Sequence, residues 1–315
     1  MKRAVGIDLG GTFIKAGLTD ENGVILKKQQ FPTLAEQKSR DVVIKQMEAA
    51  VEFALEDAGG GIAGIGIGTP GVVDDKGVVF SAPNLPGWDN LPIKKIFEEK
   101  YRLPVVVEND VNTITWGEFL YGAGKGYSTI ICITLGTGLG GGIVKDGKLL
   151  RGGKYSAMEI GHITIDYRGP RCKCGNIGCI ERFVGRDYIV ERAVKAIQDG
   201  KKTLITELVN GETKEITPKI ISEAYKQGDR VATDIWIDVG VCLGALFTGL
   251  VNLLNPDLII IGGGISRNVE IMFETIEKKI KEQAMAKLAE KVRVIQSQLG
   301  SDAGIVSAGA LVFQK

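Results

Sequence analysis

The only histidine of the chain, His162, stands ten residues before a tight cysteine cluster, Cys172-Lys-Cys174-Gly-Asn-Ile-Gly-Cys179, and Glu181 lies just beyond it. Three thiolates and one imidazole make a closed tetrahedral zinc set of the structural kind, with no coordination position left for water. The alternatives are a disulfide or plain buried thiols. Nothing marks the chain as secreted, and such spacing in an intracellular enzyme reads as metal binding. Gly175 and Gly178 supply the sharp turns that three converging sulfurs require. Cys132 and Cys242 sit in apolar patterns and read as ordinary core residues.

Three glycine loops follow apolar, strand-like segments: Asp8-Leu-Gly10-Gly11-Thr12, Leu135-Gly136-Thr137-Gly138-Leu-Gly140-Gly141, and Ile261-Gly262-Gly263-Gly264-Ile-Ser266. Gly136, Gly138 and Gly141 fit G-x-G-x-x-G mechanically, but that dinucleotide fingerprint needs a helix directly after it, and a β-hairpin is expected here instead. No G-x-x-x-x-G-K-[ST] occurs. Glycine turns between hairpin strands can still cradle phosphate through successive unhindered N–H groups. Asp8, a carboxylate at a strand end beside such a nest, is the natural magnesium anchor, and Thr12 can donate its hydroxyl to a phosphate oxygen. Taken alone, Asp8 would read as a turn-capping carboxylate.

These residues need strands and turns to hold them. Residues 4–23 read strand, glycine turn, strand, glycine turn, and 24–31 add a third strand. A helical period covers 39–55 and ends at the glycines 59–61. A buried strand at 62–68, a helix at 93–101 and a strand at 105–107 follow. The strand runs into Glu108-Asn109-Asp110 and a helix to about Leu120. The plan then restarts with a strand at 129–135, a glycine loop at 136–142 and a hairpin turning at Asp146-Gly147. Helices are expected from Val184, Pro218 and Arg230, then a strand at 257–261, a helix at 269–288, a strand at 292–296 and a helix at 302–313. The repeated order predicts a duplicated α/β unit with a cleft between the halves. The expected domains are 1–118, joined by a returning C-terminal helix within 302–315, and 119–301.

With 39 Lys+Arg against 38 Asp+Glu over 315 residues, both signs dispersed, there is no electrostatic case for a nucleic-acid or membrane-surface partner. The first residues enter a strand without the apolar core of a signal peptide. The longest apolar stretch, 239–254, is interrupted by Gly240, Gly244, Gly249 and Asn252, so a closely packed buried helix is expected and not a membrane span. A cytoplasmic enzyme is the expectation.

The motifs together resemble a known family. Asp8-Leu-Gly-Gly-Thr12, Glu108-Asn-Asp110, the loop 135–142, Glu159-Ile-Gly-His162, Cys172-x-Cys174-Gly-x-x-Gly-Cys179-x-Glu181 and the loop 262–266 come in the order of the ROK family. That family comprises bacterial-type sugar kinases and sugar-responsive repressors of the actin/hexokinase/Hsp70 superfamily. The resemblance covers essentially the whole chain; the cysteine motif is highly specific, whereas the glycine loops are superfamily-level signals.

The resemblance implies two actin-like, ribonuclease-H-like domains with ATP and Mg2+ in an interdomain cleft. It places Gly10, Gly11 and Thr12 on the terminal phosphates, Gly136, Thr137 and Gly138 opposite, and Gly262, Gly263 and Gly264 near the adenosine. It implies sugar contacts from Asn84, Asn109, Asp110, Glu159, His162 and Glu181, with Asp110 as general base. A structural Zn2+ on His162, Cys172, Cys174 and Cys179 would orient the imidazole, one nitrogen on the metal and the other toward a sugar hydroxyl. The expected activity is transfer of the γ-phosphoryl group of ATP to the 6-hydroxyl of glucose, a glucokinase-type reaction, in a homodimer. An N-acetylmannosamine kinase or another hexose kinase is the alternative. A repressor of the same family would carry a DNA-binding segment before the first strand, and only seven residues precede Asp8. An actin-like or Hsp70-like assembly protein would have no use for the cysteine cluster.

Overall fold

The computed structural model describes all residues except Pro83, Asn84, Lys154, Ser156, Asn268 and Lys315. In chain order the first strands are β1 (Arg3–Leu9), β2 (Phe13–Asp20), β3 (Ile25–Pro32), β4 (Ile62–Thr69), β5 (Val72–Val73), β6 (Val79–Ser81), β7 (Asp89–Leu91) and β8 (Val105–Asn109). The remainder are β9 (Ile130–Leu135), β10 (Leu139–Lys145), β11 (Lys148–Leu149), β12 (Leu258–Gly262) and β13 (Arg293–Gln296). Among the described residues they form three sheets, ordered β3-β2-β1-β4-β8, β11-β10-β9-β12-β13 and β5-β6-β7.

In the first sheet β1 runs antiparallel to β2 and parallel to β4, which is parallel to β8. In the second, β12 is parallel to both β9 and β13. The same plan is therefore used twice, with a hairpin at one edge and parallel strands at the other. Parallel strands need crossovers that cover their faces, which is why β1, β4, β9 and β12 read as nearly continuous apolar runs. The third sheet was not expected. Its strands are only two or three residues long, too short for an apolar period to show in the sequence.

The chain forms two compact units: Met1–Tyr127 with Gly142–Met158 and Ser297–Lys315, and Ser128–Gly141 with Glu159–Gln296. The division falls at 127/128 and not at the expected 118/119. The reason is Glu118, a fully buried carboxylate that accepts from Ala123 N (2.9 Å), Gln298 N (3.0 Å) and Leu299 N (3.0 Å) and so keeps 122–127 and 297–299 with the first unit. The segment 142–158 also goes with that unit. A Cβ on Gly142 would lie 2.2 Å from Thr115 Oγ1, and Arg151 pairs with the buried Glu108.

The C-terminal helix Ala303–Leu311 is buried along its whole length against β1 and the helix Asp110–Tyr121. Glycines make that approach possible. A Cβ on Gly6 of β1 would stand 2.2 Å from the Ile305 carbonyl oxygen, and one on Gly66 of β4 1.8 Å from that of Ala308. The other face of the first sheet packs Val43, Met47, Ala50, Val51 and Ala54 of the helix Arg40–Leu55.

In the second unit the 25-residue helix Arg230–Leu254 has the length of a membrane span, and its most apolar 18-residue stretch, with a mean hydropathy of 1.9, has the composition of one. It is nonetheless built into the unit's core. Trp236, Leu243 and Phe247 are buried, and Gly240 and Gly244 let the helix Glu270–Gln283 approach, with a Cβ on Gly240 only 2.7 Å from that of Thr275.

Candidate active site

In the first unit the turn from β1 to β2 carries the first glycine motif. Gly10 N donates to the Phe13 carbonyl (2.9 Å), and the Gly10 carbonyl accepts from Thr33 Oγ1 (2.7 Å). Thr33 N in turn donates to the Thr12 carbonyl (2.9 Å). The hairpin thus closes its own turn and leaves Gly11 and Thr12 exposed at the tip. Asp8 lies at the end of β1 beneath the start of the C-terminal helix, where a Cβ on Gly304 would come within 2.1 Å of Oδ2. Burial pushes its carboxyl above the ordinary range, and Lys15 works against that.

Asn109 ends β8 and caps the helix Asp110–Tyr121: its Oδ1 accepts from Val111 N (2.9 Å) and Asn112 N (3.1 Å). Its Nδ2 donates to the Gly71 carbonyl (3.0 Å). The cap is therefore Asn109, and Asp110, which could have served as a mere cap, is not needed for it. Asp110 accepts from Val111 N at 2.9 Å. Its carboxyl is pushed up to about 6, first by burial and further by the nearby charge of Asp8, while the Val111 amide pulls it down. A carboxylate poised there is suited to take a proton near neutral pH.

The sequence did not single out the support under this pair. Glu108, buried at the end of β8, accepts from Asn109 N (3.0 Å) and Asn112 Nδ2 (3.1 Å) and pairs with Arg151. The available signal was a charge terminating an otherwise apolar Val-Val-Val run, but its partner lies 43 residues on. Asn84, expected among the sugar contacts, lies outside the described residues.

In the second unit the turn Ile160–His162 and the loop 164–179 bring the four expected ligands together. Their donor atoms all lie within 4.8 Å of one another, with His162 Nδ1 3.8 Å from Cys172 Sγ and Cys174 Sγ 3.7 Å from Cys179 Sγ. A tetrahedron with bonds of about 2.3 Å has edges of about 3.8 Å. The donor set therefore fits zinc in kind and spacing. Gly175 (φ 95°) and Gly178 (φ 69°) make the turns, and a Cβ on Gly178 would fall 1.7 Å from the Asp166 carbonyl oxygen. The Asn176 side chain donates to the His162 carbonyl (3.3 Å) and toward Cys179 Sγ (3.3 Å), bracing the set from outside. With Nδ1 turned to the thiols, Nε2 is the histidine's other face.

Glu159 is exposed at the start of the His162 turn. Glu181 opens the short helix Glu181–Val184, and its Oε2 accepts from Leu139 N (3.1 Å). The turn 136–138 joins β9 to β10. Its internal bond runs from Gly136 N to the Gly138 carbonyl (3.0 Å), and Arg186 N donates to the Gly136 carbonyl (3.1 Å). Gly263 (φ 93°) packs against the end of β9, where a Cβ would meet the Leu135 carbonyl oxygen at 2.0 Å. Ser266 Oγ ties down the Gly262 and Gly263 carbonyls, both at 3.1 Å, while the space around Gly264 is open. Two glycine loops of this unit thus adjoin at the end of one strand.

Residues 4–315 match the model of the ROK family. The chain is 35% identical over 314 residues to the glucokinase of Thermotoga maritima, covering 99% of this chain and 98% of that protein. A crystal structure of a ROK family glucokinase from Streptomyces griseus, in complex with glucose and AMPPNP, superposes with a TM-score of 0.84 at 38% identity, covering 99% of this chain and 100% of that one. The xylose repressor of Caldicellulosiruptor bescii is 32% identical over 98% of this chain and 77% of that protein. The fold is the two-domain actin-like α/β fold.

Proposed function

The chain belongs to the ROK family, and from that premise we propose that it is an ATP-dependent kinase transferring the γ-phosphoryl group to the 6-hydroxyl of glucose. The observation that carries the chemistry is Asp110, a carboxyl held near pKa 6 at the first turn of a helix capped by its neighbour. A sugar hydroxyl is a poor nucleophile near neutrality. Asp110 accepts its proton as the new oxygen–phosphorus bond forms and the bond to the β-phosphate bridging oxygen breaks, leaving ADP.

The remaining residues bind and orient. The exposed Gly11 and Thr12 amides and the Thr12 hydroxyl are assigned to the terminal phosphates, with Gly10 shaping their turn. Gly136–138 are assigned to the phosphates from the second unit, and Gly262–264 to the adenosine side. Glu159, His162 Nε2 and Glu181 supply acceptors and a donor for sugar hydroxyls, and carboxylates with imidazole are well matched to that task. Asn109 fixes Asp110 through the helix cap, and its amide keeps one further hydrogen for a hydroxyl. Asn84 keeps its sugar assignment from the motif alone.

Asp8 fits a magnesium ion, since its half-buried carboxylate lies close enough to Asp110 to raise that group, and a cation there would relieve both. Bound magnesium supplies neutralisation of phosphate charge. Zinc on His162 and the three cysteines supplies a fixed metal loop. The assembly we propose is a cytoplasmic homodimer in carbohydrate breakdown, which sedimentation and fractionation check.

A coupled ADP-release assay across glucose, N-acetylmannosamine, N-acetylglucosamine, mannose, fructose and allose tests the reading. Glucose is expected to give the highest kcat/KM. A higher value for N-acetylmannosamine would move the assignment to that acceptor, and no ADP release with any sugar would move it to the repressor branch of the family.

A further inference from the structure

The turn 136–138 and the start of β10 are held by a segment that leaves the metal loop. Glu181, two residues after the metal ligand Cys179, accepts from Leu139 N through Oε2 (3.1 Å). The fit there is close: a Cβ on Gly138 would lie 2.1 Å from that same oxygen, so the carboxylate occupies the room that glycine leaves. Five residues further on, Arg186 N holds the Gly136 carbonyl (3.1 Å). On the other side, Gly161 of the His162 turn packs under the Leu139 carbonyl oxygen, 2.2 Å from where a Cβ would stand. The turn itself contributes one internal bond, Gly136 N to the Gly138 carbonyl. Its shape is therefore set from outside, by residues 161 and 181–186.

We propose that Glu181, besides meeting the sugar, is a positioning residue for the phosphate-side turn 136–139, so that its two carboxylate oxygens couple acceptor binding to nucleotide binding. The inference rests on the functional reading above. One oxygen, Oε2, is committed to Leu139 N, which leaves Oε1 for an acceptor hydroxyl. A sugar that fixes the carboxylate through Oε1 also fixes the amide on Oε2, and through it the turn that would face the phosphates. Coupling of this kind is reciprocal: glucose strengthens nucleotide binding by the factor by which nucleotide strengthens glucose binding. The metal loop enters as the support of the carboxylate, since Cys179 and Glu181 share one short stretch of backbone.

The test uses the full-length, zinc-loaded protein and two variants. Gly138→Ala adds a methyl against Oε2, pushing on the carboxylate from the turn side while leaving its charge intact. Glu181→Gln keeps the shape and removes the charge that strengthens the acceptor. AMPPNP affinity is measured by calorimetry with and without saturating glucose, and amide hydrogen exchange is followed over the peptide containing Gly136–Leu139 with no ligand present.

In the wild type, glucose is expected to tighten AMPPNP binding several-fold. In Gly138→Ala that gain is lost and nucleotide affinity falls about tenfold, and glucose affinity falls with it because the same carboxylate is displaced. In Glu181→Gln both affinities fall, and exchange across 136–139 quickens in both variants. A Glu181→Gln protein that loses glucose affinity alone, keeping wild-type nucleotide affinity and exchange, would overturn the proposal. So would a Gly138→Ala protein with wild-type coupling. The exchange arm needs no substrate. If the wild type fails to phosphorylate any sugar, unchanged exchange in both variants still overturns the positioning role and quickened exchange supports it.

Discussion

Two turns occupy the same place in two sheets of the same order, and they are held in different ways. The turn after β1 is closed by its own hairpin and by Thr33, directly after β3: Gly10 to Phe13, Thr33 to Gly10 and Thr33 to Thr12. The turn after β9 takes its two flanking bonds from Arg186 and Glu181, which lie more than forty residues further along. Repeating a sheet order does not repeat the support of its turns. The first turn depends on local contacts, and the second depends on the loop that gathers three cysteines and a histidine. The chemistry follows the same division, with the proposed base on the self-supported side and the metal on the other.

The largest effect should come from the self-supported side. Asp110→Asn keeps size and leaves the Asn109 cap intact while removing the proton acceptor. Turnover is expected to fall by about 10²–10⁴-fold, with glucose affinity by calorimetry and melting temperature close to wild type. Loss of stability with turnover within a few-fold of wild type would instead make Asp110 structural.

Metal loss sharpens the comparison next. Metal analysis after dialysis should find one zinc per chain. Cys174→Ser is expected to reduce activity by at least about 10–100-fold, the range for losing a group that only supports a metal ligand. Hydrogen exchange should quicken across 136–139 and stay unchanged across 10–13. Equal quickening of both turns, or a fully active protein without zinc, would erase the distinction drawn above.

How much of this was readable beforehand differs between the two sides. The strands β1, β2 and β9, the helices near 40–55 and 93–101, and the clustering of His162 with the cysteines follow from apolar period, glycine punctuation and ligand spacing, all local signals. From the sequence, β10 is expected to start only at Gly142, because glycines weaken strand preference. It begins at Leu139, and its glycines are there for room: a Cβ on Gly141 would collide with Ile160 at 2.4 Å and one on Gly142 with Thr115 at 2.2 Å. Glu108 with Arg151, Glu118 with Gln298 and Glu181 with Leu139 were not readable. Each joins positions that only the folded chain brings together, and a carboxylate in a sequence carries no mark of the amide it will accept from.

The smallest expected effect probes the first turn's own brace. Thr33→Val removes the 2.7 Å bond to the Gly10 carbonyl. A bond of this kind contributes about 1 kcal/mol net, so a modest fall in melting temperature and a few-fold rise in KM for ATP are expected, with glucose KM and zinc content unchanged. A variant that also released zinc would show the two turns to be linked after all.

The most direct test of the central claim, that Asp110 takes the hydroxyl proton, is the pH dependence of kcat/KM for glucose. Burial and the Asp8 charge raise the Asp110 carboxyl to about 6, and the base works only when ionised, so activity should fall on the acid side with a midpoint near 6 and level off above it. In Asp110→Asn that limb should vanish from the residual rate. A wild-type profile flat from about pH 5 to 8, or the same acid limb in Asp110→Asn, would contradict the account.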